Sequence, residues 1–372
     1  DPGTYDVTVS IIGYQPLKIT GVIVNSNKIT FQDFALNSGV ELEKVEVVRY
    51  KVPLIDKDGG ATGQTVTRDQ IAKMPARSAT SIATTVAGAS TAGTGGGVSI
   101  RGARASNTYY YIDGVKVPAG AGIGLPKSAI EEVQVITGGV PASYGDVTGG
   151  LINITTRGPS RTFFGGVEYL TSGYKTGPDI TNITGLDKYA FNQVELSLSG
   201  PLFFKKDSVG HKEKPLLGFF LSGQLTDAVD PGPLWGGDLR LKPGVRDQLL
   251  ATPYRVLNVA GSQVVRYNSD YLRGDDVEHF DTRQNARRKG ALASAKIDIT
   301  TTPTINLSVG GSMDLSNLQD YNRTNSLLNA ENNTQYHNNT WRTFLRFTQR
   351  FNSKEEVTGE EQKGGIKNAY YS

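Results

Sequence analysis

The sequence of 372 residues contains no cysteine. That absence excludes a disulfide framework, a thiolate metal centre and a cysteine nucleophile. Histidine is scarce: His211, His279 and His337 are expected in polar loops, with no metal-ligand spacing between them. An excess of one charge is missing too, since 39 basic residues meet 36 acidic ones. Nothing electrostatic therefore argues for nucleic acid as a partner. No apolar run approaches the roughly 18 residues of a membrane-crossing helix. A strand-built crossing stays open, because a transmembrane β-barrel leaves only alternating segments of about 10 residues. No Ser/His/Asp arrangement stands out either, so no catalytic residue, cofactor or metal site is assigned.

Glycine, in contrast, is abundant at 44 residues, where average usage would give about 26. With 17 tyrosines and many Thr, Ser and Asn, the composition favours strands and turns. Asp1-Pro2-Gly3 opens in strand-like material, and Lys367 to Ser372 starts another such run. The expectation is a piece of a longer mature protein.

Residues 1–38 alternate in β fashion (Tyr5, Val7, Val9; Val22, Val24; Ile29, Phe31, Phe34) and predict part of a small β-sandwich. Residues 39–66 read as a polar linker containing one apolar run, Val45-Glu46-Val47-Val48. A strand isolated in this way is free to pair with another protein's sheet edge; an ordinary buried anchor is the alternative. Residues 67–157 predict an α+β domain. Thr67 caps a helix stopped by Pro75, and Ser78 caps a second helix over 79–87 that ends at Gly88. Strands follow near Val98–Arg101, Tyr109–Ile112, Ile130–Thr137 and Leu151–Thr156.

From residue 158 the alternation becomes strict. Val194, Leu196 and Leu198 interleave with Gln193, Glu195 and Ser197; Ala295, Ile297 and Ile299 interleave with Lys296, Asp298 and Thr300. Trp341, Leu345 and Phe347 interleave with Arg342 and Arg346. About six such strands are expected, each of bilayer-spanning length. Connections alternate between short (Thr301-Thr302-Pro303) and long (about Ala228 to Lys289), although Phe203 to Lys214 is long for a tight turn. A wet barrel lumen suits the charged positions; a soluble sandwich with those residues facing solvent is the alternative.

The stretch "GGGVSIRGARASNTYYYIDG" (95–114) invites a phosphate-loop reading. Val98 stands where the third glycine of GxGxxG would be, no Gly-Lys-Ser/Thr follows, and a strand comes next instead of a helix. The glycines read instead as packing and turn residues, with Asp113-Gly114 as a hairpin turn. Asp275, Asp276 and Glu278 lack EF-hand spacing and read as solvated loop charge, with calcium binding as the alternative.

Taken together, "SIRGARASNTYYYIDGVKV" and "AIEEVQVITGGVPASYGDVTGGLINITTRG" resemble the plug domain of TonB-dependent outer-membrane receptors. The residues that carry the resemblance are Arg101, Gly102, Asp113, Gly114, Tyr144, Gly145, Gly149 and Gly150. Residues 1–38 resemble the carboxypeptidase-regulatory-like domain of Bacteroidetes-type members, SusC-like or Oar-like, and Val45, Glu46, Val47 and Val48 then occupy the TonB-box position. The resemblance implies a mainly β architecture: the truncated β-sandwich (1–38), linker (39–66), plug (67–157) and first strands (158–372) of an antiparallel barrel of about 22 strands. It implies an outer-membrane location in a Gram-negative bacterium, with the N-terminal domain periplasmic and the long connection outside. It further implies non-enzymatic import of a glycan, peptide or metal chelate, driven by the proton gradient through TonB, with ExbB and ExbD acting indirectly. Outer-membrane lipids and a surface lipoprotein are the other partners implied. Use of the same fold for adhesion, signalling or secretion is the alternative. Ligand contacts are expected at the plug apex, at Arg104, Ser106, Asn107 and Thr108. Arg101 is expected inside the barrel, paired with a carboxylate.

Overall fold

A computed structural model of the chain describes residues 3–24, 30–37, 46–49, 62–92, 97–118, 124–145, 147–160, 162–173, 189–206, 212–302, 305–351 and 369–371. Three sheets organise them.

The N-terminal sheet has three strands. β1 (Gly3–Val9) and β2 (Leu17–Val24) form an antiparallel hairpin, and β3 (Glu46–Arg49) joins β2 in parallel. Leu17, Ile19 and Val22 make its small core, on which Val7, Phe34 and Leu36 pack. The predicted strand through Phe31 and Phe34 does not form: residues 30–37 carry no regular structure, pack Phe34 and Leu36 on the sheet and accept one backbone bond, from Gln15 N to Asn37 O at 3.0 Å. Ile29 and Val45 lie outside the described residues. The isolated strand expected at 45–48 is not isolated, because its backbone pairs Leu17 with Glu46 and Ile19 with Val48.

The central domain is built on a five-stranded sheet in the order β4 (Thr62–Thr67), β9 (Ile130–Gly138), β10 (Leu151–Thr156), β7 (Tyr109–Ile112), β8 (Val115–Val117). β4 begins five residues before the expected boundary, since its Val66 is needed opposite Val133 in the core. A second hairpin, β5 (Ala89–Ala92) with β6 (Gly97–Ile100), and two short helices pack on this sheet. Helix α1 (Arg68–Lys73) is capped as expected: the Gln70 side chain accepts from Thr67 N at 3.0 Å. Helix α2 (Ala79–Ala83) starts at Ser78, whose Oγ accepts from Ser81 N at 3.1 Å. It stops earlier than the sequence suggests. The hydroxyls of Thr84 and Thr85 donate to the Ser81 and Ile82 carbonyls, competing with continuation of the helix. Ile71, Ile82 and Val86 bury against Val98, Ile100, Val133, Val135, Ile152 and Ile154.

The third sheet is an antiparallel meander: β11 (Phe164–Thr171), β12 (Phe191–Lys206), β13 (Lys212–Ala228), β18 (Arg288–Thr302), β19 (Ile305–Gln319), β20 (Gln335–Phe351) and β21 (Ala369–Tyr371). Six of these match the alternating segments read from the sequence. The β12–β13 connection is short after all, residues 207–211, because both strands run on past the register shifts beside Pro201 and Phe203. Residues 172–190, 229–287 and 320–334 connect the opposite ends.

The largest of these connections carries its own elements: β14 (Asp238–Leu241) pairs with β17 (Val277–Phe280), helix α3 (Pro243–Ala251) follows β14, and β15 (Tyr254–Val259) pairs with β16 (Ser262–Tyr267).

The meander's faces divide by chemistry. Val167, Leu196, Leu198, Leu221, Ile297, Val309, Trp341 and Leu345 point away from the central domain and are exposed. Gln193, Glu195, Ser199, Ser222, Gln224, Ser294 and Ser308 are buried on the other side. A sheet with apolar outside and polar inside is the pattern of a lipid-facing barrel wall. The soluble-sandwich alternative would require the opposite. No described helix is long and apolar enough to cross a membrane.

Candidate functional site

The candidate site is the junction of the central domain with the polar face of the meander. It starts at the hairpin β7–β8. Asp113 and Gly114 both take positive φ (50° and 83°), the type I′ geometry expected of that dipeptide. Asp113 is buried. Its Oδ1 accepts from Thr156 N at 2.9 Å and its Oδ2 from Thr156 Oγ1 at 2.5 Å. The turn is thereby fastened to the last residue of β10. On the meander side, Arg346 of β20 donates to the Asp113 carbonyl. Arg342, one turn of alternation away, donates to Ser312 Oγ through Nε and Nη2 at 3.2 and 2.9 Å. A cavity of about 280 Å³ separates the hairpin from the wall here, lined by Asp113, Thr156, Ser294, Ser312, Arg342 and Thr343 among others.

A second contact zone lies around α1, α2 and β9. Arg77 donates to both carboxylate oxygens of Glu168, one bond being 2.9 Å. Glu195 accepts from Ser128 N at 2.6 Å, and the Ser128 and Ser222 hydroxyls meet at 2.5 Å. Arg157, between β10 and β11, lies 3.8 Å over the Phe164 ring and 5.6 Å from Phe220. Burial pushes its guanidinium down to about 10, with Arg68 adding repulsion and Glu131 offsetting it. Burial also raises the Glu131 carboxyl, against the pull of Arg68 and Arg157. Lys127 is lowered by burial and by Arg77. A cavity of about 290 Å³ runs between these groups.

Among the described residues, every apolar cluster is confined to one unit: none contains a residue of the central domain together with one of the meander. The central domain folds around its own core and meets the wall through ion pairs, hydrogen bonds and cation–π contacts.

The motif residues fall into structural roles. Gly149 and Gly150 permit close approach: a Cβ at 149 would lie 2.4 Å from Asn107 O, and one at 150 would lie 2.3 Å from Ile100 Cδ1. Tyr144 packs edge-on against Tyr111 at 5.1 Å, and the Tyr111 hydroxyl donates to Tyr144 O at 2.9 Å. Gly145 follows with φ of 49°. Gly102 (φ 76°) turns the chain after Arg101, itself at φ 50°.

Arg101 does not meet its expected carboxylate. It is exposed, with no ion pair to any described residue, and its guanidinium lies beside Gly138 at the end of β9. Of the apex candidates, Arg104 and Ser106 are exposed and Asn107 is half-buried. Thr108 is not available to a ligand: it is buried, and its Oγ1 donates to Val98 O at 2.7 Å. Two of the three loop acids are engaged, Glu278 by Arg240 at 2.7 Å and Asp276 by the Arg273 N–H at 2.8 Å, while Asp275 accepts from Lys242 through its backbone carbonyl at 2.6 Å. Among the described residues no group of three acids or histidines could hold a metal. His279 and His337 lie not in loops but in strands β17 and β20, and His211 lies outside the described residues. Nothing local in the sequence marks Arg77, Ser128, Glu168 or Glu195 as junction residues, because their pairings span 67 to 94 positions.

Residues 56–151 match the family model described as the TonB-dependent Receptor Plug Domain. The chain carries a plug. The matched span ends at the first residue of β10 and covers the Asp113 turn and the Gly149–Gly150 pair, while the Arg77, Ser128 and Asp113 contacts join that plug to the meander. Solved structures with a similar fold include the siderophore receptor PirA from Pseudomonas aeruginosa (19% identity, 69% of this chain and 34% of that one, TM-score 0.42). The ferric enterobactin receptor PfeA of the same organism is 16% identical over 77% of this chain and 38% of that one, TM-score 0.46. Its ferripyoverdine receptor is 14% identical over 82% of this chain and 37% of that one, TM-score 0.46. The chain thus spans somewhat more than a third of the length of these structures. No curated protein matches.

Proposed function

We propose that the chain is part of an outer-membrane transporter that imports a nutrient through a plugged β-barrel, with energy delivered by TonB from the inner-membrane proton gradient. The observation that carries this reading is the polar junction. A plug with its own core, whose described hydrogen bonds and ion pairs to a lumen-type wall are separate from that core, can shift as a unit and exchange those contacts for water. An outer membrane offers no nucleotide energy, so the work has to arrive as a mechanical pull on the plug's N-terminal side. β3, with its four residue pairs on β2, is the segment we assign to that coupling. Its strand form suits pairing with an incoming sheet edge, and leaving β2 frees the backbone groups that TonB would engage. The cargo is a glycan, peptide or metal chelate, met first at the exposed Arg104 and Ser106. In this orientation the short β12–β13 and β18–β19 connections face the periplasm and residues 229–287 face outward. The N-terminal sheet is read as part of a carboxypeptidase-regulatory-like domain of Bacteroidetes type.

The test is uptake or substrate-dependent growth of cells in which residues 45–48 are deleted from the full-length protein. Loss of uptake with undiminished surface levels is the expected result, and unchanged uptake would overturn the reading. A second reading, a receptor that serves adhesion, signalling or secretion, is favoured by the size of the 229–287 connection. A stoichiometric surface partner without any importable ligand would support it.

A further inference from the structure

Within residues 229–287, the base and the tip differ in how their charges are used. At the base four arginines are spent on acids: Arg240 on Glu278, Arg246 on Glu331, Arg283 on the fully buried Asp230, and Arg287 on Asp227. The β15–β16 hairpin at the tip has no acid at all between Tyr254 and Tyr267. Its two arginines, Arg255 and Arg266, sit directly opposite one another in the register. Like charges at paired positions oppose the hairpin's own stability. Arg255 is held in place by Asn268 Oδ1 at 2.5 Å and by the Tyr271 ring at 3.8 Å. Arg266 is exposed and has no ion pair among the described residues.

The opposite face is apolar. Tyr254, Val256, Val265 and Tyr267 line up across the two strands, each more than half exposed, with the tyrosine rings 5.7 Å apart. β15 and β16 pair only with each other, so both outer edges are open among the described residues. A two-stranded hairpin with no buried face is marginal alone, and an open apolar edge is a template for another strand.

We propose that this hairpin is a docking surface for an acidic segment of another protein, laid in extended form along the β16 edge. Carboxylates of the added strand face Arg266 and Arg255, its backbone continues the ladder, and its apolar side chains extend the Tyr254–Tyr267 face. The outward position of the hairpin rests on the orientation proposed above; the chemistry of the surface does not.

The experiment uses the full-length protein in detergent micelles. The probe is a labelled ten-residue peptide alternating glutamate with threonine and valine, read by fluorescence anisotropy. Its controls are the same peptide with lysine for glutamate, an N-methylated acidic version that cannot form ladder bonds, and the anionic polysaccharide polygalacturonate. The acidic peptide is expected to bind, with the lysine and N-methylated peptides at least about tenfold weaker. The double variant Arg255→Glu/Arg266→Glu is expected to reverse the charge preference. Equal binding by wild type and variant, equal binding of the N-methylated peptide, or preferential binding of polygalacturonate would each overturn the proposal. So would strong hydrogen-exchange protection of 254–267 in the unliganded protein, which would mean that the rest of the protein already covers the hairpin. Orientation is tested separately. Ala260→Cys is the sole thiol in a segment whose sequence has none, and labelling of intact cells with an impermeant maleimide reads its side. Absence of label overturns the outward orientation, whatever the peptide does in micelles.

Discussion

Asp113 grips Thr156 with both carboxylate oxygens, one on the backbone N–H and one on the hydroxyl. This ties the tip of one plug hairpin to the last residue before the chain leaves for the wall. The aspartate also occupies a φ of 50°, where Asp and Asn are among the few side chains that sit readily. Asp113→Ala should therefore lose both the turn preference and two charge-assisted bonds. It should destabilise the plug by about 2–4 kcal/mol, while Asp113→Asn should cost less than half of that. Urea titration of the full-length protein, read by hydrogen exchange at residues 109–117, measures both. Equal effects of the two variants would contradict the bidentate role.

The turn itself was legible in the sequence, because Asp-Gly has few backbone options, whereas the Thr156 partner 43 positions away was not. The same divide runs through the chain. Strands whose two faces meet different solvents, such as 193–199 and 341–347, print that difference as a period of two. The helix starts at Thr67 and Ser78 were legible because a cap is a local bond. What stayed hidden depends on distant pairing. β3 read as a free strand since nothing local reveals that β2 has an open edge for it. Thr108 read as a ligand contact because polarity does not disclose that Val98 O consumes its hydroxyl. Arg101 invited a carboxylate, but its left-handed backbone turns the side chain along Gly138.

The paired glycines of the plug should tolerate a methyl group unequally. At Gly149 the obstruction is the Asn107 backbone, at Gly150 it is the Ile100 side chain. Backbone cannot rotate away, whereas a rotamer change moves Ile100 Cδ1 and Cγ2 though not its Cβ at 2.7 Å, so Gly149→Ala should cost somewhat more than Gly150→Ala, with both in the range of about 1–3 kcal/mol. Replacing Ile100 by Val beside Gly150→Ala should recover part of the loss. Melting temperatures of the three variants check the ranking.

Glu131 makes the plug sensitive to pH in a stated direction. Burial raises its carboxyl above the ordinary 4.5, so the folded state holds this proton more tightly than the unfolded state does. Its contribution to stability is most favourable below pH 4.5 and is lost as pH rises through the raised value. Glu131→Gln removes the titration. The variant should be more stable than wild type at neutral pH, and the gap should close on acidification toward pH 4.5. A gap that widens with acid would mean that the pull of Arg68 and Arg157 outweighs burial.

The two faces of β20 should respond oppositely to charge. Leu345 is 71% exposed and points away from the plug, next to the inward Arg346. In a membrane that exposed face meets lipid. Leu345→Arg should then cost about 2–4 kcal/mol near mid-bilayer, while Thr348→Arg, on the same face as Arg346, should cost no more than about 1 kcal/mol. Heat-modifiable mobility of the full-length protein folded into vesicles reads the difference. Comparable losses at both positions would contradict a wall with one lipid-facing and one lumen-facing surface.

The plug should be released from the wall in small steps. Arg77 and Glu168 are paired in a bidentate fashion, yet their side chains are 30% and 49% exposed. An ion pair so open to solvent is screened, and a double-mutant cycle of Arg77→Ala with Glu168→Gln should give a coupling of only about 0.5–1 kcal/mol. Ser128 and Glu195 differ. Glu195 is buried, so Glu195→Ala strands the Ser128 N–H at a cost of about 1–3 kcal/mol. Glu168 and Glu195 face one another across β11 and β12 and both act on Arg77, so the effects of the two contacts should couple rather than add. An interface of several separable bonds yields to a modest directed force one contact at a time, whereas a single apolar core would resist until it failed whole. Single-molecule pulling on residues 46–49 of the full-length protein should show successive small releases, with the Arg77→Ala variant lacking one of them. One abrupt rupture, unchanged in that variant, would contradict a plug held by polar contacts.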